Sequence, residues 1–505
     1  MTWALWLAVL CCLLPVGITA GGAIHRRVLE RFLRYAALDT ASDSAARTLP
    51  TSEGQRRFAD LLVGELRGLG LSDARLAAQG YVYATLPATP GHEGTALPVL
   101  GFICHLDTVP LLGSGPIRPI VHPAYAGGDL VLPGDPTQVL SPREHPRLRD
   151  KIGSDIVTSD GRTILGADDK AGIAEVLTAI ELLRERGIPH GPVAIAFTPD
   201  EETGRGMEGF DVAGWGASYA FTVDGEEVGE LNDETFNAAS ATVVFTGHNC
   251  HPGSAKGVMV NALYAAARFL SDLPPRQRPE AVDGRVGYQH PHTVTGEEEE
   301  ARIKLILRDF SLTGLRQRQR LVRELAARTA RRFPGVRATV TIEEGYRNMK
   351  PVIARHPFLI AAAEEAMRRV GLTPIRRPIR GGTDGAVLSY KGIPCPNLFC
   401  GCENPHSRTE WIAVDDMVKA VETIVELIRV WPEHVRGARR RRPEACAPRP
   451  AAPSSALSIL TGAPSQEEGP PEVPRSGRRR VAATARPQPP KSLRKGATAR
   501  SRPRR

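Results

Sequence analysis

The sequence predicts an α/β fold with a mainly parallel sheet, interrupted by a smaller α+β domain of the ferredoxin-like kind. Apolar strand-like runs alternate with helix-period runs from residue 28 to about residue 232, an order typical of a parallel sheet covered by helices. Between about residues 236 and 348 the order changes to strand, helix, strand, helix, strand, and the first alternation then resumes. With 505 residues, the chain is long enough for two or three domains.

The first strands are predicted at LPVLGFI, VAIAF and YAFTV, and each ends where polar residues cluster. Ligands bind beyond the carboxyl ends of strands in open α/β sheets, so a site is expected there. A helix is predicted after Asp168, because apolar residues recur at helix spacing and Gly187 follows as a stop signal. Asp168 is therefore expected at or near the helix N-cap.

The smaller domain is predicted from strand ATVVFTG, helix VMVNALYAAARFL, strand ARIKLILRDF, helix GLRQRQRLVRELAARTARRF and strand RATVTIEE. Helix PFLIAAAEEAMRRV, strand PNLFC and helix DDMVKAVETIVELIRV then complete the first domain. The predicted boundaries are 24–235 and 349–435 for the larger domain and 236–348 for the insert. An apolar leader at 1–23 and a basic tail at 436–505 flank them.

The net charge of +9 is concentrated at the C-terminus. Residues 436–505 carry 18 Lys and Arg against 4 Asp and Glu, a net of +14, which leaves −5 for residues 1–435. This Pro- and Arg-rich tail has little apolar material, so it is predicted to be disordered. Because a bare basic arm binds nucleic acid without sequence preference, no specific nucleic-acid partner is expected. A nucleic-acid-binding protein acting through the tail is the alternative from another function class.

The apolar leader is too short for a stable membrane span, and none is expected. Residues 1–23 are either a weak signal peptide, cleaved near Ala20 or Ala23, or an extension from an upstream start codon, since a clean amphipathic helix is predicted only from Val28. The cysteines between leader and tail form neither paired CxxC spacing nor an even framework. A cytoplasmic location is therefore expected, with export as the alternative.

Residues of the types that bind metal are concentrated at the predicted strand ends. Each has an ordinary alternative, such as a core histidine, a solvated turn or a helix cap. Together they would meet in one crevice, where five acids would repel each other without cations. Two divalent metals resolve that repulsion, since zinc accepts imidazole and carboxylate ligands and one carboxylate can bridge two ions. The residues are His105, Asp107, Asp168, Glu201, Glu202, Asp224 and His406.

Two pairs within this set indicate a division of roles. Residues two apart on an extended segment point to the same side, so Asp107 can accept a hydrogen bond from the ring of His105 and fix its tautomer. Neighbouring side chains diverge, so one of Glu201 and Glu202 can bind metal while the other stays free as a base.

Several segments, including ICHLDTVP, ILGADDKAG, HGPVAIAFTPDEETG, IRGGTDGA and PCPNLFCGCENPH, resemble peptidase T sequences. Peptidase T enzymes are tripeptide aminopeptidases of the two-zinc exopeptidase family that includes carboxypeptidase G and the aminoacylases. The similarity extends from about residue 28 to residue 431. It implies a zinc-exopeptidase-like larger domain, and an insert that acts as a lid and joins two subunits in a homodimer.

The resemblance implies two Zn²⁺ ions per subunit. His105, Asp168 and Asp224 would bind one ion. Asp168, Glu202 and His406 would bind the other, so that Asp168 would be the bridge.

The same resemblance implies roles for residues that do not bind metal. Glu201 would be the general base and Asp107 would orient its neighbours. His251, Arg308 and Arg380 would hold the carbonyl oxygen or carboxylate of a peptide, since arginine forms bidentate pairs with carboxylates.

The activity implied is release of the N-terminal residue from a tripeptide by an activated water. A dipeptidase or an N-acyl amino acid hydrolase of the same family is the alternative. Asp169, the second acid of LGADDKAG, is expected to interact with the helix N-terminus.

Overall fold

The computed structural model describes residues 20–92, 97–110, 112–113 and 115–440. The predictions for most of the leader and for the tail from residue 441 lie outside the described residues. The helices are α1 (Ala20–Ala36), α2 (Glu53–Gly68), α3 (Ala167–Glu185), α4 (Val212–Trp215), α5 (Ala262–Asp272), α6 (Leu312–Arg332), α7 (Lys350–Ile353), α8 (Pro357–Arg369), α9 (Asp384–Tyr390) and α10 (Val414–Arg440).

The strands are short, apart from those of the second sheet. They are β1 (Arg75–Leu76), β2 (Val82–Leu86), β3 (Leu100–His105), β4 (Ile120–His122), β5 (Leu130–Val131), β6 (Val139–Leu140), β7 (Ile156–Thr158), β8 (Val193–Thr198), β9 (Tyr219–Gly225), β10 (Glu230–Asn232), β11 (Asn237–Thr246), β12 (Tyr288–Gly296), β13 (Glu300–Asp309), β14 (Arg337–Glu344), β15 (Ile375–Arg376), β16 (Asn397–Phe399), β17 (Cys402–Glu403) and β18 (Trp411–Ala413).

The first sheet has eight strands in the order β1-β2-β8-β3-β9-β16-β10-β15. Strands β8, β3, β9 and β16 are parallel neighbours at its centre, and they include the three strands predicted first. Helices α1, α2, α3, α8 and α10 contribute to the main core on one face, and a smaller core with α4 and α9 covers the other. This arrangement confirms the predicted α/β class, because strands buried on both faces are typical of parallel sheets.

The second sheet is antiparallel, in the order β12-β13-β11-β14, and has its own core with α5 and α6. Its elements follow the order βαββαβ, as in ferredoxin-like folds. Strand β12 was not predicted. It contains Pro291, which cannot donate to a ladder, and it lies at the sheet edge with a register shift between Pro291 and Thr293.

Two smaller sheets were also not predicted. Strands β17, β18, β7 and β4 form one of them, and β5 pairs with β6 in the other. None of these strands exceeds three residues, so hydrophobic alternation gives little signal. The sheet that contains β17 and β18 matters for the site, because the segment between these two strands carries His406.

Two predicted boundaries were wrong. Helix α1 begins at Ala20 and not at Val28, because Ile24, four residues earlier on the same face, is also buried in the main core. Helix α10 continues to Arg440, so residues 436–440 do not belong to a disordered tail. Pro432 lies inside that helix, which continues because Val435 packs into the core. Among the helices of the described residues, none has the length and apolar composition needed to cross a membrane.

Candidate metal centre

The carboxyl ends of three adjacent parallel strands bring the predicted ligands together. His105 is the last residue of β3, and Asp224 lies near the end of β9. Glu201 and Glu202 follow β8 in a short 3-10 helix, and Asp168 lies in the first turn of α3. The structure thus brings these side chains together at the ends of parallel strands, as expected.

Two groups of side chains approach each other closely enough to share metal ions. In the first, His105 Nε2 lies 2.8 Å from Asp168 Oδ1 and 3.6 Å from Asp224 Oδ1. In the second, His406 Nε2 lies 3.1 Å from Asp168 Oδ2 and 2.9 Å from Glu202 Oε1. Within each group, one ligand atom per residue lies within 4.8 Å of the others. The two oxygens of Asp168 therefore face different groups, which is the arrangement of a bridging carboxylate.

The electrostatics of these side chains suit bound cations. Burial, with the negative charge of Asp168, raises the pKa of Asp224 to about 6 and that of Glu202 to about 7. Although burial opposes it, contact with the two imidazoles holds the pKa of Asp168 well below its usual range. Hydrogen bonds to Asp168 and Glu202 raise the pKa of His406 to about 11. A nitrogen and oxygen donor set in which positive charge stabilises clustered carboxylates fits a divalent metal ion.

Asp107 contacts the main chain of both glutamates. Its completely buried carboxylate accepts hydrogen bonds from the N–H groups of Glu201, at 2.9 Å to Oδ1, and Glu202, at 3.1 Å to Oδ2. The ring Nδ1 of His105 lies 2.9 Å from the carbonyl oxygen of Asp107 and 3.5 Å from its carboxylate. The carbonyl is thus the nearer acceptor for the ring, and the carboxylate fixes the turn that carries the two glutamates.

Glu201 belongs to neither ligand group and lines a small pocket with His105, Asp224 and Asp384. Loss of hydration, together with the negative charge of Asp384, raises the pKa of Glu201 well above its ordinary value. A carboxyl group beside a ligand cluster is placed to exchange a proton with a reacting group.

Asp169 lies in the first turn of α3, so its interaction with the helix N-terminus stays a prediction. Its Oδ2 accepts a hydrogen bond from the N–H of His105, at 3.1 Å. Gly166, in the left-handed region at φ 75°, is the N-cap, and Asp168 and Asp169 have non-helical backbone angles. The N–H groups of Gly166 and Asp168 donate hydrogen bonds to the carboxylate of Glu410. Sequence reasoning missed Glu410, because nothing in ENPHSRTEW indicates a contact with a segment 245 residues earlier.

The structure does not bring His251 into either ligand group. His251 lies in an exposed segment after β11, where its ring accepts a hydrogen bond from the N–H of Gly253 at 3.1 Å. Arg308, near the end of β13, stacks over the ring of Tyr346 with its guanidinium carbon 5.2 Å from the ring centre. Its Nη1 donates to the carbonyl oxygen of Leu307 at 3.1 Å.

Arg380 lies between the two sheets. Its Nη1 donates to the carbonyl oxygens of Gly284, at 2.5 Å, and Val286, at 3.1 Å. The guanidinium carbon is 5.3 Å from the centre of the Phe236 ring. These contacts connect the segment after β15 to the segment before β12.

The profile of "Peptidase family M20/M25/M40" matches residues 158–430. The chain belongs to this family. Peptidase T of Geobacillus kaustophilus is 44% identical over 411 residues, which cover 81% of this chain and 99% of that relative. The predicted family is therefore confirmed.

Two solved structures share the fold of this M20 chain. Aminopeptidase PepT of Bacillus cereus superposes with a TM-score of 0.61 at 24% identity, covering 81% of this chain and 99% of its own. A tripeptidase of Staphylococcus aureus superposes with a TM-score of 0.63 at 21% identity, over 81% and 99% of the two chains. The predicted fold class is confirmed by these likenesses and by the two sheets described above.

Proposed function

We propose that the chain is a two-zinc aminopeptidase that releases the N-terminal residue of tripeptides. The observation that carries this proposal is the pair of ligand groups that share Asp168. The 44% identity to peptidase T over nearly the whole length of that relative supports the substrate class. A dipeptidase or N-acyl amino acid hydrolase would use the same centre, so only substrates can separate them.

The residues that would hold the metals are those of the two groups. His105, Asp168 and Asp224 would hold one ion, and Asp168, Glu202 and His406 the other. When bound, two zinc ions would lower the pKa of a water and polarise a peptide carbonyl.

The protein's own contribution to proton transfer comes from Glu201. Its carboxylate accepts a proton from the attacking water and returns it to the nitrogen of the leaving amine. Asp107 supports this step, because its bonds to the N–H groups of Glu201 and Glu202 fix the turn from which the two side chains diverge. The raised pKa of Glu201 favours holding the proton between the two transfers.

We further propose that Arg308 and Arg380 bind the C-terminal carboxylate of the peptide, which would limit substrate length. Both residues lie where the second sheet meets the first: Arg308 near the end of β13, and Arg380 beside Phe236. His251 would bind the carbonyl oxygen of the substrate when residues 236–348 move as a lid. The exposure of its segment is consistent with a contact made only on closure.

Residues 236–348 also support a proposed homodimer. The second sheet has two edge strands, β12 and β14, and several large apolar side chains of this segment are exposed, among them Tyr264, Leu263 and Val294. Exposed apolar groups of this kind mark interaction surfaces. Tyr264→Glu should reduce the molar mass in light scattering to that of the monomer, whereas Leu61→Glu, at an exposed position on α2, should not. A wild-type chain that is monomeric would contradict the proposal.

A cytoplasmic location is supported by the cysteines. All five within the described residues are free thiols, and four of them are buried. Such thiols persist in a reducing compartment.

A substrate panel tests the proposed activity. The purified full chain, loaded with zinc, is assayed on Ala-Ala-Ala, Ala-Ala and N-acetyl-alanine, and zinc is counted by mass spectrometry. We expect two zinc ions per chain and a kcat/KM highest for the tripeptide. A higher kcat/KM for the dipeptide or the acyl amino acid would transfer the assignment to the alternative.

A further inference from the structure

We propose that Glu410 is a positioning residue that holds the Asp168 turn against the His406 segment. It thereby sets the affinity of the metal that Asp168, Glu202 and His406 would hold. This inference rests on the proposed two-zinc site. It concerns a residue that belongs to neither ligand group.

The carboxylate of Glu410 accepts three main-chain hydrogen bonds from a single turn. Oε2 accepts from the N–H of Leu165 at 2.9 Å and from that of Gly166 at 2.7 Å. Oε1 accepts from the N–H of Asp168 at 3.2 Å. Glu410 is only 1% exposed, so water cannot replace these bonds without a rearrangement.

The backbone of the turn is shaped for this anion. Gly166 has φ 75°, in the left-handed region that glycine adopts without strain, and consecutive N–H groups converge on one point as a result. The 19-residue helix α3 follows directly, and its N-terminus favours negative charge. Glu410 therefore has the place that a helix-capping side chain would take, although it lies far away in sequence.

Glu410 is also fixed to the segment that carries the other ligand. It follows His406 by four residues, and its own N–H donates to the carbonyl oxygen of Ser407 at 3.3 Å. Strand β18 begins at the next residue, Trp411, and pairs with β7. One buried side chain thus connects the two turns whose ligands, Asp168 and His406, meet at 3.1 Å.

Replacing the carboxylate by an amide would disturb this connection. Glu410→Gln keeps one acceptor oxygen but presents an NH₂ group to an N–H donor of the turn, so at least one main-chain bond is lost. Losing the hydrogen-bond partners that orient metal ligands lowers metal affinity by about 10- to 100-fold. We expect that loss for one of the two zinc ions, with a smaller one in Glu410→Asp, which keeps the charge but shortens the reach.

Glu230→Gln is the matched control. Glu230 is also buried and accepts hydrogen bonds from Asn232 at 2.6 Å and Arg377 at 3.0 Å, but neither of these partners belongs to a ligand group. Its replacement should lower thermal stability without changing zinc affinity.

The experiment measures both zinc affinities of the full chain by competition with a chromogenic chelator, together with the Tm of the zinc-free protein. A selective weakening of one zinc in Glu410→Gln, absent from Glu230→Gln, supports the inference. Affinities equal to wild type in Glu410→Gln overturn it. Equal affinity losses in both variants also overturn it, since they would reflect general destabilisation.

Two further outcomes also decide between the inference and its alternatives. If Glu410→Gln does not fold, Glu410→Asp decides by the same criterion. A wild-type chain that binds no zinc would refute the proposed function and this inference with it, whereas two tight zinc ions in both wild type and the Glu410 variants would refute the inference alone.

Discussion

Replacing Glu201 by glutamine should strongly reduce turnover while leaving both metals bound. The side chain of Glu201 belongs to neither ligand group. Only the main-chain N–H of Glu201 bonds to Asp107, at 2.9 Å, and the substitution leaves that N–H in place. The amide has nearly the same shape but cannot accept a proton from water at neutral pH. The substitution therefore removes the proposed base and no ligand.

The expected loss follows from the role. A positioned acid or base contributes about 10²- to 10⁴-fold to a rate, which corresponds to an increase of about 3 to 5 kcal/mol in activation free energy. That loss should appear in kcat with KM little changed, because Glu201 is not proposed to bind the ground-state substrate.

Glu202→Gln is the control next to it in sequence. Glu202 Oε1 lies 2.9 Å from His406 Nε2, within the second ligand group, so its amide variant should lose zinc along with activity. Zinc content by mass spectrometry, Tm and kcat on a chromogenic tripeptide are measured for both variants. If Glu201→Gln loses zinc and Glu202→Gln retains it, the two roles have been assigned the wrong way round.

Three other predictions concern the metals, the tail and the substrate carboxylate. Removing metal from the full chain with a chelator should lower its Tm, and zinc should restore it, because the carboxylates of the centre then regain their counter-charges; an unchanged Tm would argue against resident metal. Deleting residues 444–505 should leave kcat/KM unchanged within error, since both ligand groups lie before them, and a collapse in a soluble, zinc-loaded protein would contradict this. Arg380→Ala should reduce kcat/KM for an acid tripeptide about 10- to 100-fold more than for its C-terminal amide, from the free energy of a charged hydrogen bond. Equal losses would instead indicate that Arg380 acts through the carbonyls of Gly284 and Val286.

The clustering of these side chains could be predicted because several of them follow a simple topological rule. His105, Glu202 and Asp224 each stand at or just after the end of a buried strand, and parallel neighbours bring such ends to one edge. The order of strands and helices in the second sheet could be predicted from hydrophobic periodicity, apart from its proline-containing edge strand. Elements of two or three residues had too little periodicity to be recognised.

The turns that orient the ligands could not be predicted, because they depend on backbone geometry and on partners far away in sequence. Asp200, just before the two glutamates, has φ 57°, an uncommon conformation for a residue other than glycine. Its carboxylate accepts hydrogen bonds from the N–H of Thr51, at 2.8 Å, and from Gln55 Nε2, at 2.8 Å. Residues of α2 and the segment before it therefore hold the turn from which Glu201 and Glu202 diverge.

The turn that begins at Leu165 also depends on a distant partner, since its N–H groups donate to the carboxylate of Glu410. Asp107 and Glu410 are both buried carboxylates that bind main-chain N–H groups of a turn in which another carboxylate lies. Main-chain donors are the same at every residue except proline, so they leave no trace in a side-chain pattern. A single sequence can show which residues are able to bind metal, but the main-chain contacts of Asp107 and Glu410 arise only when the fold brings the turns together.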